Sequence, residues 1–258
     1  MLRSLLLACL LLASSAEAET LEIGLSRDQI GITSSFDGTQ MTVFGTIEGE
    51  DPATIARTPD GPGSGYDIIV TLTGPLEPVI VRRKERAAGI WVNGSAQLFV
   101  SVPSFYATAS TRPLESMTSP AQLKLLQIGP RNLDFPPRGL VLPPAEREEF
   151  RLALARLRLT DDLFSRVDGS VTMLSPTLFR ATFAVPANIP IGTHTAQAYL
   201  FRDGDYLNSA TASLSVAKQG FEQVTYRLAH ENGFLYGLLA VLVAITTGWL
   251  ASVAFRKD

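Results

Sequence analysis

The chain has 258 residues, 46% of them apolar, and a formal net charge of −3 that does not change when Arg3 and Glu17 are set aside with the N-terminal leader described below. That is enough apolar content for one large domain or two small ones. The mildly acidic balance offers none of the concentrated positive charge with which proteins hold nucleic acid.

The first element is a leader. Met1-Leu2-Arg3 supplies a positive start, Leu5 to Ala13 an apolar run, and Ala16-Glu17-Ala18 a small-x-small cleavage site. This is the pattern of a secretory signal peptide, which predicts Glu19 as the new N-terminus. Nine apolar residues are too few to cross a bilayer as a helix. Leu6-Leu7-Ala8-Cys9 loosely mimics a lipoprotein box, but cutting there would leave too short an apolar run ahead of the cut. Cys9 is the chain's single cysteine, so the exported protein would carry neither thiol nor disulfide. Exterior domains of small eukaryotic proteins lean on disulfides, and their absence favours a bacterial envelope.

From residue 19 the chain reads as short strands divided by turn residues, consistent with sixteen Pro and twenty Gly. Leu21–Leu25 and Met41–Ile47 alternate; Tyr66–Thr73, Val79–Arg82, Ile90–Val92, Gln97–Val102 and Phe105–Thr108 follow, with turns at Phe36-Asp37-Gly38 and Pro59-Asp60-Gly61-Pro62-Gly63. The spacing predicts an immunoglobulin-like sandwich, and residues 19–110 form its first β region.

Residues 111–168 change period and read as a helical connection. Ser119 is an N-cap with Pro120 at the first helical position, and Gly129 is placed to close that short helix. Pro143-Pro144 opens a longer helix over Ala145–Phe164, with Glu146, Glu148 and Glu149 early, Arg156 and Arg158 late, and Phe150, Leu154 and Leu157 on one face. Asp161-Asp162 ends it on the solvent side. Strands return over residues 169–217: Leu178–Val185, then Thr193–Arg202 and Tyr206–Val216 joined through Asp203-Gly204, a two-residue hairpin signal. The pattern leaves open whether the two β regions make one sandwich or two.

A juxtamembrane linker over 218–233 leads to Phe234–Phe255, 22 residues without a charge. At about 1.5 Å per residue that is about 33 Å, enough for the hydrocarbon core. Tyr236 and Trp249 stand near its two ends, and Arg256 and Lys257 in the tail 256–258 mark the cytoplasmic side, so the body lies outside. Ala240, Ala244, Gly248 and Ser252 recur every fourth residue, and Gly233 and Gly237 form a G-x-x-x-G. Small residues at that spacing let helices associate in lipid, and such residues are also simply frequent in membrane helices.

Chemistry is harder to find. His194 and His230 are the only histidines, and a zinc site would need both plus carboxylates. No G-x-S-x-G elbow occurs; Gly63-Ser64-Gly65 reads as a turn, and Asp203-Gly204-Asp205 as the hairpin rather than a calcium loop. Asn93-Gly94-Ser95 is a glycosylation sequon that a bacterial envelope ignores. No cofactor and no catalytic set is predicted. Arg82, Arg83, Lys84 and Arg86 stand out: four cations in five positions repel one another and call for counter-charges. They suit either a solvated edge that blocks strand-to-strand aggregation or an anionic partner, whether lipid headgroups, an acidic protein face or an oxyanion.

Three stretches carry a family resemblance: Val81-Arg82-Arg83-Lys84-Glu85-Arg86 leading into Gly89-Ile90-Trp91-Val92-Asn93; Val102-Pro103-Ser104-Phe105-Tyr106 leading into Arg112-Pro113-Leu114; and Pro186-Ala187-Asn188 through Gly192 to Tyr199-Leu200-Phe201-Arg202-Asp203-Gly204. With the terminal helix, they make the chain resemble a family of transmembrane proteins of alphaproteobacteria over nearly all its mature length. The resemblance implies bacterial origin and topology but no activity. Members of that family are often encoded near permeases of the sulfite and taurine exporter class, which implies a transport accessory role by association. The expectation is therefore a non-enzymatic, single-pass inner-membrane protein with a periplasmic body, partnered by the lipid bilayer and by a polytopic membrane protein such as a permease, or by itself through the membrane helix. A periplasmic anion-binding or sensing domain and an envelope enzyme of unrecognised type are the alternatives.

Overall fold

The computed structural model describes residues 19–49, 65–87, 89–219, 229–230 and 232–254. The leader with Cys9, the turn at Pro59–Gly63, and Arg256 and Lys257 lie outside them.

Two sheets face each other across one core. The first orders β1 (Thr20–Leu25), β3 (Thr39–Glu48), β11 (Leu178–Val185) and β10 (Val171–Met173). The second orders β2 (Gln29–Ile32), β13 (Asp205–Lys218), β12 (Gly192–Arg202), β4 (Tyr66–Thr73), β7 (Tyr106–Ser110) and β9 (Phe164–Asp168). Strands β1, β3, β11 and β10 occupy the places of A, B, E and D in an immunoglobulin domain, and β4, β12 and β13 those of C, F and G. The short β2 runs parallel beside β13.

Alternation makes the faces. In β11 every second residue is buried, so Phe179, Ala181, Phe183 and Val185 point inward. They meet Met41 and Val43 of β3 and, from the facing sheet, Ile68, Val70, Leu72, Ala196, Ala198 and Leu200. Gly45 sits opposite Phe179 in the β3–β11 pairing, and a Cβ there would lie 2.3 Å from the Phe179 ring. A side chain at Gly45 would displace that ring from the core.

The two β stretches thus form one sandwich: β3 pairs with β11, and β4 with β12. Everything between β4 and β10 is an insertion. It carries a third sheet, β5 (Leu76–Ala87), β6 (Ile90–Pro103) and the two-residue β8 (Pro137–Arg138), and the helices α1 (Leu114–Met117), α2 (Pro120–Leu125) and α3 (Pro144–Thr160). The separate short strands expected over Val79–Arg82, Ile90–Val92 and Gln97–Val102 are one long hairpin. The stretch expected to be helical also contains β8 and β9, and β9 extends the second sheet parallel to β7.

Both helix ends differ from expectation, for the same reason. Ser119 caps α2 as expected, its Oγ accepting from the Gln122 N–H at 3.2 Å. The residue that closes α2 is Gln127, at φ +53°, rather than Gly129; the N–H groups of Gln127 and Ile128 return to the carbonyls of Lys124 and Leu123. In α3 the same role falls to Asp162, at φ +57°, with the N–H groups of Asp162 and Leu163 bonded to Leu159 and Arg158. These are Schellman closures made without glycine. The helix therefore stops at Thr160, and Phe164 belongs to β9.

Beyond the body, α4 (Gly233–Ala254) is the expected apolar helix, and Gly233–Ser252 is long and apolar enough to cross a membrane. Among the described residues, none covers that span.

Candidate functional site

The basic block lies on β5, and the pleat splits it. Successive side chains of a strand point to opposite faces, which puts Arg82, Lys84 and Arg86 on one face and Arg83 on the other. Arg83 is absorbed by folding. Its guanidinium donates to Glu149 at 2.7 Å and to Glu146 at 3.4 Å, and lies 5.0 Å from the centre of the Phe150 ring, all on α3. Val81 shares that face and joins Phe99, Phe150 and Leu154 in a second core. Nearer the root of the hairpin, Glu77 accepts from Arg158 at 2.5 Å. The early glutamates and late arginines of α3, read in the sequence as a response to the helix dipole, also fasten the hairpin.

Arg82, Lys84 and Arg86 are exposed and have no ion pair among the described residues. Ladder pairing shows what shares their face. Ile80 stands opposite Leu98, Arg82 opposite Ala96, Lys84 opposite Asn93 and Arg86 opposite Trp91, while β8 sets Arg138 opposite Leu98. A bulge in β6 places Gly94 and Ser95 against Arg83, and Glu85 turns to the other face, where its carboxylate lies over Gly94 and accepts from Ser95. Among the described residues, the outward face of the third sheet thus carries four cations, Asn93 and apolar side chains and no carboxylate, on a chain whose net charge is negative. Trp91 is 69% exposed and Ile90 65%, at the end of the hairpin where Gly89 turns the chain with φ +85°. The exposed apolar tip was not legible in the sequence, where Ile90–Val92 resembles any buried strand.

A second basic feature is a groove of about 760 Å³ between α2, α3 and the loop 127–137. Lys124, Arg131, Arg147 and Arg151 line it, against Asp134 and Glu148. Arg151 is already engaged: it grips Glu148 through two bonds at 2.7 and 2.8 Å and donates to the carbonyls of Arg131 and Leu133.

Neither histidine joins a cluster, and no group of three or more His, Cys, Asp or Glu that could hold a metal occurs among the described residues. His194 is fully buried on β12, its Nδ1 3.2 Å from the Gly192 carbonyl oxygen and its ring edge-on to Phe105. Nε2 has no hydrogen-bond partner, and burial pushes the imidazole pKa down, so the ring is neutral. In α4, a Cβ on Gly233, Gly237 or Gly248 would meet nothing within 4 Å, so these positions, and the small-residue ridge Ala240, Ala244, Gly248 and Ser252, meet no partner helix among the described residues.

Two solved structures show similarity at low identity. The sporulation control protein Spo0M of Bacillus subtilis is 11% identical with a TM-score of 0.27, aligned over 78% of this chain and 50% of its own. This chain therefore spans half the length of that relative. AggA, the major subunit of aggregative adherence fimbriae type I from Escherichia coli, is 8% identical with a TM-score of 0.28, over 79% and 97%. No curated protein matches the chain. Residues 20–257, from the first strand through the apolar helix, match the model of the family described as "Putative transmembrane protein (Alph_Pro_TM)", and the chain belongs to that family.

Proposed function

We propose that this protein is a non-enzymatic, single-pass protein of the bacterial inner membrane, with its sandwich in the periplasm and its C-terminus in the cytoplasm, working as an accessory or assembly partner of another membrane protein, with transporters the favoured class. The observation that carries this reading is α4. It is apolar on every side, nothing among the described residues covers it, and it bears a ridge of small residues of the kind that lets a second helix approach closely. Purification of the full chain in mild detergent should return a stoichiometric polytopic partner. Replacing α4 by an unrelated membrane helix of equal length should lose that partner while the body stays folded. A chain that purifies alone at every detergent strength rules the reading out.

The groove beside α2 and α3 favours a second reading, an anion-binding or sensing domain, because Lys124, Arg131 and Arg147 converge on it. A thermal-shift panel of sulfate, sulfite and phosphate should then raise the melting temperature, and the triple change Lys124→Gln, Arg131→Gln, Arg147→Gln should abolish the rise. Flat melting curves remove this reading.

A further inference from the structure

We infer that the outward face of the β5–β6 hairpin is a docking surface for the bilayer itself, binding anionic lipid headgroups through Arg82, Lys84, Arg86 and Arg138 and placing Trp91 at the interface. The face has the composition such binding needs. Three of its cations alternate along β5 and Arg138 joins them from β8, Ile80 and Trp91 are exposed beside them, and no carboxylate of the described residues interrupts the sheet face. Indole rings settle at the headgroup level, and cations near an anionic surface each add attraction there. Arg83, the one member of the block used for folding, points the other way and locks the hairpin to α3, so the docking face is presented on a fixed element.

The chain's own connections bring this face to lipid. The hairpin springs from Gly74–Pro75 at the end of β4, and Pro75 packs against Gly192, where an added Cβ would lie 3.0 Å from its ring. Gly192 in turn pairs with Val216, two residues before β13 ends at Lys218. The hairpin and the tether to the membrane helix therefore leave the body at the same place. Fourteen residues separate Lys218 from Gly233, a reach of at most about 50 Å, and β5, with twelve residues, is about 40 Å long. Once α4 is in the bilayer the hairpin is confined within reach of it. Tethering of this kind turns weak contacts into a stable one through high effective concentration.

The test uses the full chain with Trp249→Phe, which leaves Trp91 as its one tryptophan. It is reconstituted without other proteins into vesicles of phosphatidylcholine alone or mixed with phosphatidylglycerol, each with a headgroup-level spin-labelled lipid as quencher. In the mixed vesicles Trp91 emission should shift to the blue, be quenched by the labelled lipid and lose access to acrylamide; high salt should reverse all three. Arg82→Gln, Lys84→Gln, Arg86→Gln and Arg138→Gln together should return the signal to that of pure phosphatidylcholine, with the docked-to-free ratio falling about fivefold for each cation removed. Flotation with both vesicle types shows that α4 is inserted, and an unchanged circular dichroism spectrum shows that the variant is folded. An unquenched, acrylamide-accessible Trp91 in the mixed vesicles overturns the inference, as does quenching that ignores the cations. Protection that grows with protein density but not with labelled lipid assigns the face to a second copy of the chain, and protection that needs a co-purified protein assigns it to that partner; either result overturns docking on lipid.

Discussion

Tyr106 stands at the first position of β7, where the second core, the loop after α2 and the outer face of the second sheet meet. Its hydroxyl donates to the Gln127 carbonyl at 3.3 Å and accepts from the Gly129 N–H at 2.9 Å, and burial pushes its pKa up to about 12. Gln127 and Gly129 both sit at positive φ, and this hydroxyl pins the start of the loop whose middle Arg151 holds through the Arg131 and Leu133 carbonyls. Tyr106→Phe keeps the ring and strands the Gly129 N–H. It should cost about 1–3 kcal/mol in denaturant unfolding, and a loss under about 0.5 kcal/mol would mean that the loop finds another acceptor. His194 sets a pH dependence. Because burial lowers its pKa in the folded state, the unfolded chain takes up the proton first as pH falls. Stability is thus fully present above the ordinary value of 6.5 and declines below it, down to the depressed folded pKa. Glu115 acts in the same sense at lower pH: Arg166 beside it holds its carboxyl down at about 2, so what it contributes is lost only as pH falls below its ordinary 4.5. Melting temperature should therefore fall between pH 6.5 and 5, and His194→Phe should flatten that interval; an unchanged slope would assign it to other groups.

At the level of the element, the hairpin and α3 are one unit. Arg158 and Glu77 join them near the root, Arg83 with Glu146 and Glu149 farther out, and Val81, Phe150 and Leu154 between. Exposed ion pairs contribute little each, so the apolar contacts carry most of the stability and the charges set the register. Asp162 closes α3 in a left-handed conformation that costs an ordinary residue energy and glycine almost none. Asp162→Gly should raise stability by about 0.5–1 kcal/mol, read as a higher melting temperature with unchanged far-ultraviolet dichroism. A decrease would show that the Asp162 side chain contributes more to the closure than the backbone strain costs.

Over the whole molecule, the interleaving of strands governs cooperativity. β11 and β12 come late in the chain, yet each lies inside a sheet, paired on both sides with strands that include β3 and β4 from the beginning. A fragment of residues 19–168 lacks both and leaves β3 and β4 with open edges over an uncovered core. It should fail to give the native β spectrum, while the complete chain should lose the structure of its body in a single transition. A folded, cooperative 19–168 fragment would show that the insertion and the first strands suffice.

The local patterns were legible along the chain because they depend on neighbours in sequence. Alternation marked β1, β3 and β11 to within two residues, a β-branched run between turns marked β4, Asp203-Gly204 marked the β12–β13 turn, Ser119-Pro120 marked the start of α2, and an uncharged apolar run marked α4. Gln127 and Asp162 as helix stops were hidden, because a left-handed residue other than glycine leaves no compositional mark. Folding alone settled which cations of the basic block are used up and which are presented, because the pleat sends Arg83 to α3 and its neighbours to solvent. Folding alone also merged two distant β stretches into one sandwich, since strand pairing is a choice among faces and edges that many orders would satisfy locally and one core volume satisfies globally.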